Sequence, residues 1–287
     1  MKEKSLPNSG HIFGPVPSRR LGRSLGIDLV PHKTCTYDCL YCQVGLTTEK
    51  TIKRSYWVAV EEIIAELKTK LSTNPDCITL SGSGEPTLYN QCGRLIDEIK
   101  KITSTPVAVI TNGSLLHMPQ VRRELLKADM VLPSLDAGNE ETFLKINRPA
   151  PELTFDRMLQ GLIDFRREFR GKYWLEVFLI AGLNDNDKEI ADLSRCIEKI
   201  QPDKVQLNTV TRPPAESVES ITYERLAEIA KRIYKNAEVI ADFKASAVSS
   251  LTAQANDIIE MLKRRPCTAD DIVAGLKTSR LEVLKTV

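Results

Sequence analysis

The stretch Cys35-Thr36-Tyr37-Asp38-Cys39-Leu40-Tyr41-Cys42 decides how this chain is read. Its three cysteines stand four and then three residues apart, and an aromatic residue, Tyr41, directly precedes the last. A loop this short can wrap three thiolates around one corner of an iron–sulfur cube. A cubane has four irons and is normally held by four cysteines, so three ligands leave one iron for something else to bind. An open metal position is where chemistry, rather than scaffolding, is expected. A structural zinc is the competing reading. It needs a fourth Cys or His close by, and His32 is the one such neighbour.

Outward from that loop the chain repeats one unit: a short apolar run, a polar loop, then an amphipathic stretch. The apolar runs are 25–30, 77–81, 107–111, 130–134, 174–180 and 205–210. The helical stretches are 58–71, 92–102, 119–127, 140–146, 155–169, 187–200 and 223–235. In the first of these, Val60, Ile63, Ile64, Leu67 and Leu71 keep helical spacing. Residues 184–187 and Thr222 carry helix-start signals. Alternating strand and helix implies parallel strands joined by right-handed crossovers. In such folds the loops that follow the strands emerge on one face, where ligands bind. That rim would collect the cysteine loop, Gly82-Ser83-Gly84-Glu85-Pro86, Asn112-Gly113-Ser114, Ser134-Leu135-Asp136, Gly182-Leu183-Asn184 and Thr211-Arg212-Pro213.

The 287 residues suit one large α/β domain with a small appendage. A net charge of +2 advertises no polyanion partner, and 42% hydrophobic residues suffice for a full core. Of the seven cysteines, Cys77, Cys92, Cys196 and Cys267 are dispersed, which argues for a reducing compartment rather than a disulfide framework. Cys77 and Cys196 read as core fillers, and Cys92 as the free thiol nearest the site. No run approaches a membrane span. A cytoplasmic location is expected.

Cys-x3-Cys-x2-Cys with Tyr41 before its last cysteine resembles the radical S-adenosylmethionine superfamily, and Gly82-Ser83-Gly84-Glu85 occupies the place of that superfamily's Gly-Gly-Glu motif. The resemblance implies a partial (β/α)6 barrel in which Cys35, Cys39 and Cys42 hold one [4Fe–4S] cluster. S-adenosylmethionine would chelate the fourth iron through its amino and carboxylate groups, and the reduced cluster would cleave it to a hydrogen-abstracting 5′-deoxyadenosyl radical. The electron would come from a reductant protein of flavodoxin or ferredoxin type. The cofactor contacts so implied are Tyr41 at the adenine, Ser83, Gly84 and Glu85 at the methionine ammonium, Asn112 near the adenosine, and Ser134 and Asp136 at the ribose or the methionine carboxylate. Asn184 reads either as a further contact or as a helix cap. Asp136 has the same alternative, although Asn139 could cap that helix instead.

The Pro- and Gly-rich opening, residues 13–26, reads as irregular backbone carrying Arg19, Arg20 and Arg23, suited to a carboxylate or phosphate. The same string resembles proteins related to the wyosine-type tRNA-modifying radical enzymes, which makes a tRNA nucleoside the favoured substrate. Two departures from that subgroup are the missing additional N-terminal cysteine trio and Gln43 where tryptophan is usual. Arg148 and Arg212 read as further clamps for an acidic substrate. A glycyl-radical activase or peptide modifier is the alternative enzyme. An iron–sulfur redox sensor with a nucleic-acid-binding tail is the alternative from another class.

Residues 1–243 are assigned to the barrel and 244–254, rich in Ala and Ser, to a linker. In 255–287 three short helical segments, 257–264, 269–276 and 280–286, resemble the helix-turn-helix core of a winged-helix domain. Lys263, Arg264, Arg265, Lys277, Arg280 and Lys285 give that tail a basic bias.

Overall fold

A computed structural model of the chain describes residues 10–240, together with Leu262, Ala269 and Ile272. The expected linker, and the expected tail apart from those three residues, lie outside the described residues. The strands are β1 (Ile12–Ser18), β2 (Gly22–Ile27), β3 (Thr34–Cys35), β4 (Glu49–Lys50), β5 (Cys77–Leu80), β6 (Val107–Thr111), β7 (Met130–Pro133), β8 (Lys172–Phe178), β9 (Lys204–Asn208) and β10 (Ala237–Val239). The helices are α1 (Val60–Lys70), α2 (Cys92–Ile102), α3 (Pro119–Leu125), α4 (Glu140–Asn147), α5 (Phe155–Glu168), α6 (Asp187–Ile200) and α7 (Tyr223–Ile233). Eight strands form one sheet in the order β1-β2-β5-β6-β7-β8-β9-β10. All of its neighbouring pairs are parallel except β1–β2.

The six expected strands are all present, each followed by its helix, with two helices between β7 and β8. Four strands were not foreseen: β3 and β4, which pair with each other in a separate small sheet, and two that join the main sheet. β10 extends the far edge, and β1 pairs antiparallel with β2, so the opening segment is a hairpin rather than irregular backbone. Its turn is compatible with Gly22 at φ +67°, where a side chain would run into Asp76.

Alternation along the strands sorts the apolar residues onto two faces. Leu25, Ile27, Ile78, Leu80, Val109, Val131, Leu175 and Leu207 pack in the main core together with residues of the helices. Each such burial contributes about 1.5–3 kcal/mol. On the opposite face Leu21, Cys77, Ala108, Met130 and Leu132 form a second cluster, flanked by Ile110 and Trp174. A contact across the sheet shows that this second face is concave. Arg20, in the hairpin turn, ion-pairs with Glu176 on β8, four strands from β2 in the sheet order. In a flat sheet those strands would lie roughly 19 Å apart at about 4.8 Å per step, beyond the span of one side chain. The sheet therefore curls into an open partial barrel.

Helix starts are fixed by side chains. Asn139, Thr154, Asn186 and Thr222 each accept a hydrogen bond from a first-turn backbone N–H. Asn139 caps α4, so Asp136 does not serve as that cap.

Candidate active site

The cysteine loop leaves β2 at the rim and crosses to the glycine-rich turn after β5. Lys33 N–H donates to the Ser83 carbonyl at 2.9 Å, and Glu85 N–H donates to the Thr34 carbonyl at 3.1 Å. These two bonds stitch the loops together. Glycine is required at the seam, because a Cβ on Gly84 would stand 2.1 Å from the Thr34 oxygen. Gly82, at φ +140°, is pressed in the same way against Asp28.

Each cysteine sulfur of the loop faces an N–H donor from a different part of the chain. Lys33 Nζ lies 3.0 Å from the Cys42 sulfur, Asn147 Nδ2 3.5 Å from Cys39, and Asn112 Nδ2 3.7 Å from Cys35. Burial pushes the Cys35 thiol up to about 12, with nearby Glu85 adding to the effect, and burial likewise raises Cys39, where Asp136 adds. Left to themselves these groups keep their protons. A bound cation would remove them. Among the described residues no three His, Cys, Asp or Glu side chains converge tightly enough to grip a single metal ion. A cubane instead takes its thiolates on separate irons.

Lys33 tests whether such a cluster fits. The residue is 3% exposed, and among the described residues its ammonium makes no ion pair, only the hydrogen bond to Cys42. A buried cation is costly without a counter-charge. A metal-bound thiolate at Cys42 would supply one. The donor set therefore fits a thiolate-ligated cluster.

Two buried carboxylates brace the donors. Glu85 is 2% exposed, and its Oε1 accepts from Thr87 N–H at 3.0 Å, Thr87 Oγ1 at 2.6 Å and Thr111 Oγ1 at 2.6 Å. Its Oε2 accepts from Asn112 N–H at 2.8 Å. The carboxylate expected to reach a cofactor ammonium is thus turned inward, where it fixes Asn112. Burial raises its pKa against the pull of those donors. Asp136 accepts from the Tyr41 hydroxyl, from Asn147 Nδ2 at 2.8 Å and from Phe178 N–H at 3.0 Å. Burial brings it up to about 6 despite these bonds.

Other expected contacts separate in the same way. Ser83 is buried and spends both its N–H and its hydroxyl on Asp28. Asn184 is 0% exposed; it accepts from Ile180 N–H and donates to the carbonyls of Asp136 and Phe178. It is neither a cap nor an open contact, but a staple between the loops after β7 and β8. Tyr41 stacks on Phe178 with ring centres 4.0 Å apart, which occupies one of its faces. Asn112 and Ser134 remain half-buried at the rim, and Asn112 also donates to Thr36 at 2.7 Å. Cys92 is buried with its S–H on the Pro86 carbonyl, part of the core rather than a free thiol at the site.

A cavity of about 320 Å³ adjoins the cysteine loop, lined by Arg19, Arg20, Thr79, Gly82, Gln43 and Arg212 among others. Three of the five expected substrate arginines meet there. Arg23 does not, since its guanidinium donates to the carbonyls of Thr73 and Asn74 beyond the starts of the strands. Arg148 forms a two-pronged pair with Glu216, and its φ of +45° ends α4.

Residues 29–194, more than half of the chain, match the family model described as "Radical SAM superfamily". A UPF0026 protein of Helicobacter pylori is 30% identical and covers 100% of this chain and 94% of its own. The chain belongs to the radical SAM superfamily and to the UPF0026 proteins. A Brachyspira hyodysenteriae protein named GTPase Obg is 46% identical over 98% of this chain, which spans only 42% of that relative. Among solved structures, a radical SAM methyltransferase from Sphaerobacter thermophilus superposes with a TM-score of 0.58 at 19% identity, covering 75% of this chain and 65% of its own. Archaeal TYW1 gives 0.52 at 18% identity, covering 83% and 78%. These likenesses establish a shared radical SAM fold. No helix among the described residues is long and apolar enough to cross a membrane.

Sequence reasoning missed Lys33, Asn147, Asp28 and Glu176. Lys33 stands two residues before Cys35 and Asn147 directly before Arg148, so position near a motif was the available signal.

Proposed function

We propose that this protein is a radical S-adenosylmethionine enzyme with one [4Fe–4S] cluster on Cys35, Cys39 and Cys42, acting on a nucleoside carried in tRNA. The observation that carries the chemistry is the set of three N–H donors, one to each cysteine sulfur. When bound, the cluster would pass an electron to S-adenosylmethionine and so yield the 5′-deoxyadenosyl radical that takes hydrogen from the substrate. The chain's own part is placement. Asp136 holds Tyr41 and Asn147, Glu85 holds Asn112, and Gly84 keeps the glycine turn flush with the cysteine loop. Tyr41, Asn112 and Ser134 are the side chains offered to the cofactor. Ser83, Glu85, Asp136 and Asn184 act behind them.

The cavity beside that loop, with Arg19, Arg20 and Arg212 in its wall, suits a substrate carrying anionic groups. A nucleotide in tRNA has that character, and the likeness to archaeal TYW1 is compatible with it. A protein of flavodoxin or ferredoxin type would supply the electron.

Anaerobically reconstituted protein, reduced in the presence of S-adenosylmethionine, should release 5′-deoxyadenosine. A protein that holds iron and sulfide yet leaves the cofactor intact would be a sensor rather than an enzyme. Bound tRNA that is lost as salt rises supports the nucleoside. A peptide or protein captured in its place would favour the peptide-modifying or activase reading.

A further inference from the structure

We infer that Lys33 sets the reduction potential of the cluster, by holding a fixed positive charge against the Cys42 sulfur; this rests on the cluster assignment above. The case is geometric. Lys33 sits at φ +57°, a left-handed conformation that a lysine adopts only when its surroundings hold it. Its N–H is tied to the Ser83 carbonyl at 2.9 Å, and its carbonyl accepts from Thr48 N–H at 3.1 Å and Glu49 N–H at 3.2 Å. Backbone bonds on both sides thus fix where the side chain begins. The side chain ends 3.0 Å from the Cys42 sulfur in a setting that leaves the residue 3% exposed.

The three sulfur donors are not equivalent. Asn112 and Asn147 are neutral amides standing 3.7 and 3.5 Å from their sulfurs. Lys33 is closer and carries a full charge. Hydrogen bonds and net charge around cluster sulfurs are established levers on potential. Accepting one electron from a low-potential donor makes the cluster more negative without adding a proton to it. A cation buried beside it favours that reduced form, because low-dielectric surroundings leave the attraction poorly screened. Lys33 is therefore a positioning and tuning residue that acts through Cys42. It also couples two functions, since its own backbone anchors the glycine turn while its ammonium serves the sulfur.

The test uses the full-length chain, reconstituted anaerobically and titrated with dithionite through redox mediators, with reduction followed by electron paramagnetic resonance. Lys33→Met should lower the reduced-to-oxidised ratio at a fixed potential tenfold or more, about 59 mV for a one-electron couple. Lys33→Arg, which keeps the charge, should stay within threefold of the parent protein. Should Lys33→Met fail to hold iron, Lys33→Gln, neutral but still a donor, carries the same readings. A neutral variant with full iron and sulfide and a ratio within threefold of the parent overturns the inference while leaving the cluster intact. A parent protein that takes up no iron and sulfide overturns the cluster assignment itself, and the two failures are told apart by metal analysis alone.

Discussion

Two sets of cysteines in this chain differ in the direction of their hydrogen bonds. Cys77, Cys92 and Cys196 are buried, and their thiols donate to the carbonyls of Ile78 at 3.6 Å, Pro86 at 3.2 Å and Gly138 at 3.7 Å. Cys77 also accepts from the Thr79 hydroxyl, over a long 3.9 Å, but none of the three accepts from a side-chain N–H among the described residues. Cys35, Cys39 and Cys42 are half-buried, and each accepts from a side-chain N–H. A thiol that donates has kept its proton and packs as a small hydrophobe. A sulfur that accepts from a side-chain N–H is prepared for negative charge. The surrounding donors, rather than the number or burial of the cysteines, separate a site from a core.

The largest expected effect breaks the comparison outright. Cys35→Ala, Cys39→Ala or Cys42→Ala should abolish iron and sulfide uptake and the brown absorbance, whereas Cys196→Ala should retain both. A Cys196→Ala protein without iron would show that the two sets are not distinct. Next comes the concave face. Glu176→Gln leaves Arg20 without its charge partner and should cost about 3 kcal/mol in denaturant unfolding, with iron uptake intact. Burial alone would raise Glu176, but Arg20, Asn208 and Arg19 outweigh it and hold its pKa below the ordinary value. A depressed carboxylate stabilises above its unfolded pKa of about 4.3 and loses that contribution as pH falls through its folded value. The difference between parent and variant should thus be full at pH 7 and shrink in acid. A difference that grows in acid would contradict the pair.

Asn147→Ala removes the donor to Cys39 and a brace of Asp136. It should weaken iron retention against a chelator by about 10-fold or more, the usual cost of an outer ligand partner. Unchanged retention would mean that the amide serves packing alone. The smallest effect is a control far from the sulfurs. Thr222→Ala uncaps α7 and should cost about 1 kcal/mol with no change in iron.

The elements were legible because periodicity is local. Both α2 and α6 run over the residues their apolar spacing indicates, and Asn139 caps α4 as its position suggested. The opening hairpin was not legible, since Pro and Gly mask a strand whose partner and bulge are set by pairing. The cysteine loop could be read from spacing alone. The roles of Glu85 and Asn184 could not. Glu85 is committed by Thr111 and Asn112, more than twenty residues away, and Asn184 by a carbonyl 48 residues back. Residue type tells what a side chain can bond. The fold determines what is left over for a ligand.

The seam between the cysteine loop and the glycine turn has an evolutionary corollary. With backbone bonds running in both directions and no room for a single extra carbon at Gly84, that half of the rim behaves as a machined part and tolerates almost no revision. The part of the cavity wall where Arg212 donates to the Gln43 side chain at 3.4 Å is upholstery by comparison. New specificities can be acquired there by re-covering one wall while the reactive corner stays as cast.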